Sequence, residues 1–173
     1  MANTLAISPA DIIAYLLVER SLGSDPDDSV AWPVFANIAP DTPDNVVTVS
    51  DTTGTTSFRT MPDGATNEKY GIQVMVRGRA QPVAWAKIDE IQRDLTRGLY
   101  GFSFTQDSVS YTVKKLVLFS PIIRMGLEKP ASKRFLYSLN FLAIVEAETT
   151  GSYLLDSVSN FLADSQGNRL VGV

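Results

Sequence analysis

Residues 70–79 read Tyr-Gly-Ile-Gln-Val-Met-Val-Arg-Gly-Arg, and residues 81–97 continue Gln-Pro-Val-Ala-Trp-Ala-Lys-Ile-Asp-Glu-Ile-Gln-Arg-Asp-Leu-Thr-Arg. The first stretch alternates. Ile72, Val74 and Val76 take one side and Gln73, Met75, Arg77 and Arg79 the other, which is the period of a strand. The second stretch changes period. Pro82 suits a first helical turn, and Ala84, Ile88, Ile91 and Leu95 recur at helical spacing. Lys87, Asp89, Glu90, Arg93, Asp94 and Arg97 fill the other side, so opposite charges pair along it, as in Asp89–Arg93 and Asp94–Arg97. Gly98 is expected to end this helix. An alternating strand followed by an amphipathic helix indicates a helix laid on a sheet.

The flanking sequence extends this pattern. Downstream, Tyr100, Phe102 and Phe104 alternate with small residues, and Val109, Tyr111 and Val113 alternate with serine and threonine. The Gln106-Asp107 turn between them predicts a hairpin whose second strand runs on through Leu116–Phe119. Pro121–Lys133 reads as a basic connection, and Arg134–Val145 as a long strand apolar on both faces, hence central. Upstream, Ser8, Pro9 and Asp11 form a helix start, a capping box with Asp in place of Glu. Ile12, Ile13, Leu16 and Leu17 give that helix a broad apolar face, and Gly23 is expected to end it. Trp32–Ile38 and Asn45–Ser50 read as short strands around the Pro40–Asp44 turn. Residues 51–69 read as a long polar loop, a length usually tied to function. The expected fold is α+β: a mostly antiparallel, or mixed, six-stranded sheet with two helices packed on it, in the order α-β-β-β-α-β-β-β. Residues 1–147 form that domain, and 148–173 follow as a C-terminal extension with the pattern of a hairpin.

Composition narrows the function. The 173 residues include neither cysteine nor histidine. That closes thiol and Ser-His-Asp nucleophilic routes and histidine-rich metal sites. The longest apolar runs are too short for a membrane span and no signal-peptide pattern precedes them, so a soluble protein made inside the cell is expected. Net charge is −4. It is unevenly placed: residues 1–68 hold ten acidic and two basic side chains, whereas residues 69–145 hold five and twelve. Such segregation suits head-to-tail contact between copies of one chain.

Three chemical readings compete with simpler ones. Glu90 and Asp94 share a helix face and would suit a Mg²⁺-dependent carboxylate enzyme, and Asp25, Asp27 and Asp28 would bind a cation weakly, but a salt-laced helix face and a solvated loop without calcium-loop spacing explain them better. Arg77-Gly78-Arg79 stands where a phosphate-binding turn would stand, without a phosphate-loop pattern. Arg77, Arg79, Lys114, Lys115, Lys133 and Arg134 near alternating aromatics would suit a single-strand nucleic-acid binder, though the chain is acidic overall and lacks an RNA-binding signature. No catalytic residue, cofactor or metal is assigned.

One pattern is more specific. Pro43-Asp44-Asn45-Val46-Val47-Thr48-Val49-Ser50-Asp51-Thr52-Thr53-Gly54 precedes Gln73-Val74-Met75-Val76-Arg77-Gly78 and then a helix. This resembles the "P-D-x-x-V-x-V-x-D-T-x-G" and "Q-V-x-V-R-G" segments of the phage tail terminator and minor capsid protein family, over about residues 8–147. The resemblance implies a structural virion protein at the tail–head junction, assembled in the host cytoplasm. It implies a homo-oligomeric ring, usually of six subunits, that caps the tail tube, ends its polymerisation and faces a head connector or stopper protein. Neither a membrane nor sequence-specific nucleic acid is implied as a partner, and no catalysis is needed. The alternative within the same setting is another connector or stopper ring of the neck. On this resemblance, Asp51, Gly54, Phe58, Arg59, Met61 and Asp63 are expected to contact tube or connector. Arg77 and Arg79 are expected at a subunit interface or the lumen, and Tyr153, Leu154, Leu155 and Phe161 on a neighbour.

Overall fold

The structure is a computed structural model that describes residues 5–28, 31–56, 68–97, 101–106, 109–128 and 133–149. Two helices and six strands follow the expected order: α1 (Pro9–Glu19), β1 (Val34–Ala36), β2 (Val46–Thr56), β3 (Glu68–Gly78), α2 (Gln81–Thr96), β4 (Phe102–Gln106), β5 (Val109–Leu127) and β6 (Phe135–Thr149). The strands form one sheet in the order β1-β2-β3-β6-β5-β4. β1 and β2 are parallel and the other neighbours antiparallel, so the sheet is mixed. β6 lies between β3 and β5, as its two apolar faces require.

Register places the core. Val47 and Val49 lie opposite Val76 and Val74. Ile72, Val74 and Val76 lie opposite Phe141, Leu139 and Tyr137. All belong to one face, and all are buried in one cluster with Ile12, Ile13, Leu16 and Leu17 of α1 and Ala84, Ile88, Ile91 and Leu95 of α2. Both helices therefore cover the same side of the sheet. Each large aliphatic side chain buried there contributes on the order of 1.5–3 kcal/mol. Arg20 joins the helices through Asp94 at 2.9 Å. Asp94 thus reaches across to α1, whereas Asp89–Arg93 pairs along α2 as the spacing predicts. Tyr15 of α1 stacks on Phe104 with ring centroids 4.5 Å apart, tying the first helix to the last strand of the sheet. The Tyr15 hydroxyl titrates above the ordinary phenol value because the Glu19 charge lies beside it.

Several boundaries differ from the sequence expectation. α1 ends at Glu19, not at Gly23. Ser21 takes the left-handed conformation (φ 58°), and the amides of Ser21 and Leu22 bond the carbonyls of Val18 and Leu17. That is a Schellman closure, sealed by the buried side chain of Leu22. Trp32–Ile38 shrinks to Val34–Ala36 because Trp32 (φ 67°) and Asn37 (φ 59°) are left-handed and cannot extend the strand. Asp51–Thr56 and Glu68–Lys69 belong to β2 and β3 rather than to a loop, leaving 57–67 outside the described residues. Four threonines favour that extension, and the ladder shifts register between Thr52 and Thr55, where the backbones of Gly54 and Gly71 approach too closely for a Cβ. Finally, β5 continues through Pro121 to Leu127 and β6 continues past Val145 to Thr149. Pro121 falls in a register shift between Ser120 and Ile123 on an outer strand, so its missing N–H removes no ladder bond to β6. Gly98, Asp107 and residues 150–173 lie outside the described residues.

Gly78 sets the joint between β3 and α2. A Cβ there would lie 2.8 Å from Ala84 Cβ and 3.3 Å from the Trp32 ring. Gly78→Val should push α2 off the sheet and cost about 1–3 kcal/mol, read as a lower midpoint in chemical denaturation; an unchanged midpoint would contradict this packing.

Candidate functional site

The residues that carry the sequence signature work inside the protomer. Arg77 stands on the face of β3 turned away from the helices, yet its side chain is only 3% exposed. Its Nη2 donates to the carbonyls of Pro40 and Pro43, at 2.5 and 2.7 Å, and its Nη1 to Glu128 Oε1 at 3.1 Å. Glu128 also pairs with Arg134 at 3.5 Å, and Arg134 Nε reaches Asp44 Oδ1 at 2.8 Å. This chain of charges pins the Pro40–Asp44 turn to the end of β5 and the start of β6. Arg77 is therefore committed within the fold. Neighbouring Arg79 is exposed, and its backbone N–H donates to Asn45 Oδ1 at 3.0 Å.

Asp51 is likewise engaged. Its Oδ1 accepts the Ala10 N–H at 2.9 Å, at the start of α1, where a carboxylate is favoured by the helix dipole. Asn37 bonds both the Asp51 side chain and its backbone N–H. Gly54 lies in β2 near the register shift. Asp51 and Gly54 are thus strand residues, not loop residues. Phe58, Arg59, Met61, Asp63, Tyr153, Leu154, Leu155 and Phe161 lie outside the described residues.

A surface that the sequence reading passed over stands out on β5. β4 pairs with β5 only from Val109 to Val113. From Lys114 to Leu127, no strand among the described residues pairs with the outer edge of β5. Along this half, Val117, Phe119, Ile123, Met125 and Leu127 are large apolar side chains left exposed, Phe119 at 71%. Four register shifts against β6 run through β5. Phe119 falls at one and Met125 at another, so the bulged backbone turns these side chains outward. Period-two apolar spacing from Val117 to Leu127 was the available signal; Pro121 in its middle hid it. Beside this edge, Gln81, Pro82, Trp85, Arg124 and Tyr137 line a shallow groove in which Trp85 meets Tyr137 edge-on. Among the described residues, no group of acidic side chains could hold a metal ion, and no helix is long and apolar enough to cross a membrane.

Charge is polarised across the sheet. Residues 5–56, which build α1, β1 and most of β2, hold eight acidic side chains and one arginine. Residues 109–127, which form β5, hold three basic side chains and no acidic one. These segments lie toward opposite edges of the sheet.

Replacing Arg77 by Ala would leave two carbonyls and Glu128 without their shared partner. A loss of roughly 3–5 kcal/mol is expected, whereas Arg79→Ala should change stability by less than about 0.5 kcal/mol. Equal denaturation midpoints for the two variants would contradict the inward role of Arg77.

The comparisons with known proteins are consistent with the sequence signature. The family model described as bacteriophage tail terminator protein matches residues 16–147. A search of curated proteins finds no match. Among solved structures, a chain from the virion of a native gene transfer agent particle is similar at 16% identity, with 83% of this chain and 99% of that chain covered and a TM-score of 0.48.

Proposed function

The chain belongs to the bacteriophage tail terminator family, and from that premise we propose that it forms a ring, of six subunits, which caps the tail tube, ends its polymerisation and joins tail to head. The family is a structural component of the virion. The observation that carries the proposal is the family match, which runs from within α1 to within β6. The charge-polarised sheet supports it. A ring closed by rotation needs two different, complementary patches on each subunit, and opposite edges of one sheet provide them. Shape and contact suffice for this role, so a chain without histidine or cysteine suits it.

The finer assignments follow from the same proposal. Residues 57–67, with Phe58, Arg59, Met61 and Asp63, join two long strand arms and are assigned to contact with tube or connector. Arg79 is assigned to a subunit interface or the lumen. Tyr153, Leu154, Leu155 and Phe161 are assigned to a neighbouring subunit.

Two experiments test this. Purified chain added to tail tubes during polymerisation should halt their growth, with six-fold rings at tube ends in negative-stain images. Tubes that lengthen unchecked, or rings found only on the head side, would contradict termination. Replacing residues 57–67 by a short Asn-Gly turn should leave melting temperature and circular dichroism unchanged while abolishing tail joining. Normal yields of infectious particles from that variant would remove these residues from the contact.

A further inference from the structure

We propose that the outer half of β5, Lys114–Leu127, is the surface by which one copy of this chain binds the next, and that it receives the acidic β1 side of its neighbour head to tail. This rests on the ring proposed above and says where in the protomer the ring contact lies.

Four observations converge on this edge. First, β4 stops opposite Val113, so the outer backbone of β5 beyond it has no partner strand among the described residues. An open edge is a template for another chain. Second, five large apolar side chains are exposed along it, and the half-exposed Trp85 adds to them from α2. Large apolar side chains left exposed along one unpaired strand fit an interaction surface. Third, the patch has charge around it. Lys115 and Arg124 are exposed among the apolar residues, and Lys114 pairs with Glu146 at 3.0 Å.

Fourth, the complementary surface is on the same molecule but out of its own reach. β1 closes the opposite edge of the sheet. Asp25, Asp27 and Asp28 lie exposed on the approach to it, and Ile38, just past β1, is 72% exposed. One copy cannot bring its two edges together. Two copies related head to tail can, joining basic apolar edge to acidic apolar edge, and repetition of that contact closes a ring.

The edge is also guarded. Lys114, Lys115, Pro121 and repeated register shifts are the features that discourage indiscriminate strand pairing. The contact is accordingly one of side-chain packing and charge, made with a shaped partner, and not a long ladder with any free strand.

The test uses the full chain. The double variant Phe119→Glu/Met125→Glu should weaken self-association by about thirtyfold or more, the effect of losing a central contact residue. Native mass spectrometry and imaging of tube ends would show this, with the melting temperature unchanged because both side chains are exposed. The absence of cysteine allows a second arm that does not depend on that variant. Chains carrying Ile38→Cys and chains carrying Phe119→Cys, mixed and oxidised, should give disulfide-linked heterodimers. Self-linked Phe119→Cys dimers without heterodimers would overturn the head-to-tail contact. Rings that form as well from the Glu variant as from the natural chain would overturn the β5 surface while leaving the ring intact. If the natural chain forms no ring, alone or on tube ends, the ring fails first and the inference with it.

Discussion

Two helices can cover one face of a six-stranded sheet, and in this chain both cover the same one. Most other features follow from that constraint. The covered face takes every second residue of β2, β3 and β6, which explains the strict alternation of Ile72, Val74 and Val76 and of Tyr137, Leu139 and Phe141. The other face has no helix to close it among the described residues. At one end it is closed by a buried arginine instead. Arg77 replaces water with two carbonyls and a carboxylate, which meets most of the demand of burying a guanidinium. Its Nε has no hydrogen-bond partner among the described residues, so satisfaction is incomplete. At the β5 edge the sheet is left open, and there the exposed apolar residues gather.

The same division separates what holds the fold from what meets other molecules. Pro43, Asp44, Asp51, Arg77 and Gly78 belong to the segments that carry the sequence resemblance to the family, and each is occupied inside the protomer. The signature thus reports a way of fastening the β1–β2 turn and the start of α1. The surfaces proposed to meet other molecules lie elsewhere, where the chain has spare backbone and spare apolar area.

The fold class, element order and central strand were legible because their signals are local and periodic. Ala84, Ile88, Ile91 and Leu95 could hardly be arranged otherwise. The boundaries were less legible, for physical reasons. Gly23 invited a helix end, but Ser21 takes the left-handed turn because Leu22 then buries its side chain. Asp51–Thr56 looked like a loop because both sides of an extended hairpin arm are polar when no core lies beneath it. Pro121 looked like a strand end, since a proline rarely sits in a central strand, but on an outer edge it is harmless. The partners of Arg77 were the least legible. Arg77 has the composition of a surface cation, and only the fold reveals that the Pro40–Asp44 turn and Glu128 close over it. The β5 edge was obscured by the same Pro121. The charge asymmetry was visible in the sequence, but that it divides two edges of one sheet was not.

The most direct measurement is hydrogen exchange along β5, compared between the free chain and the chain assembled on tail tubes. Amides from Lys114 to Leu127 that do not bond β6 should exchange fast in the free chain and gain protection on assembly, together with residues around β1, while the core of β6 stays protected in both states. If the β5 amides exchange equally in both states and protection appears only elsewhere, this edge is not where the subunits meet.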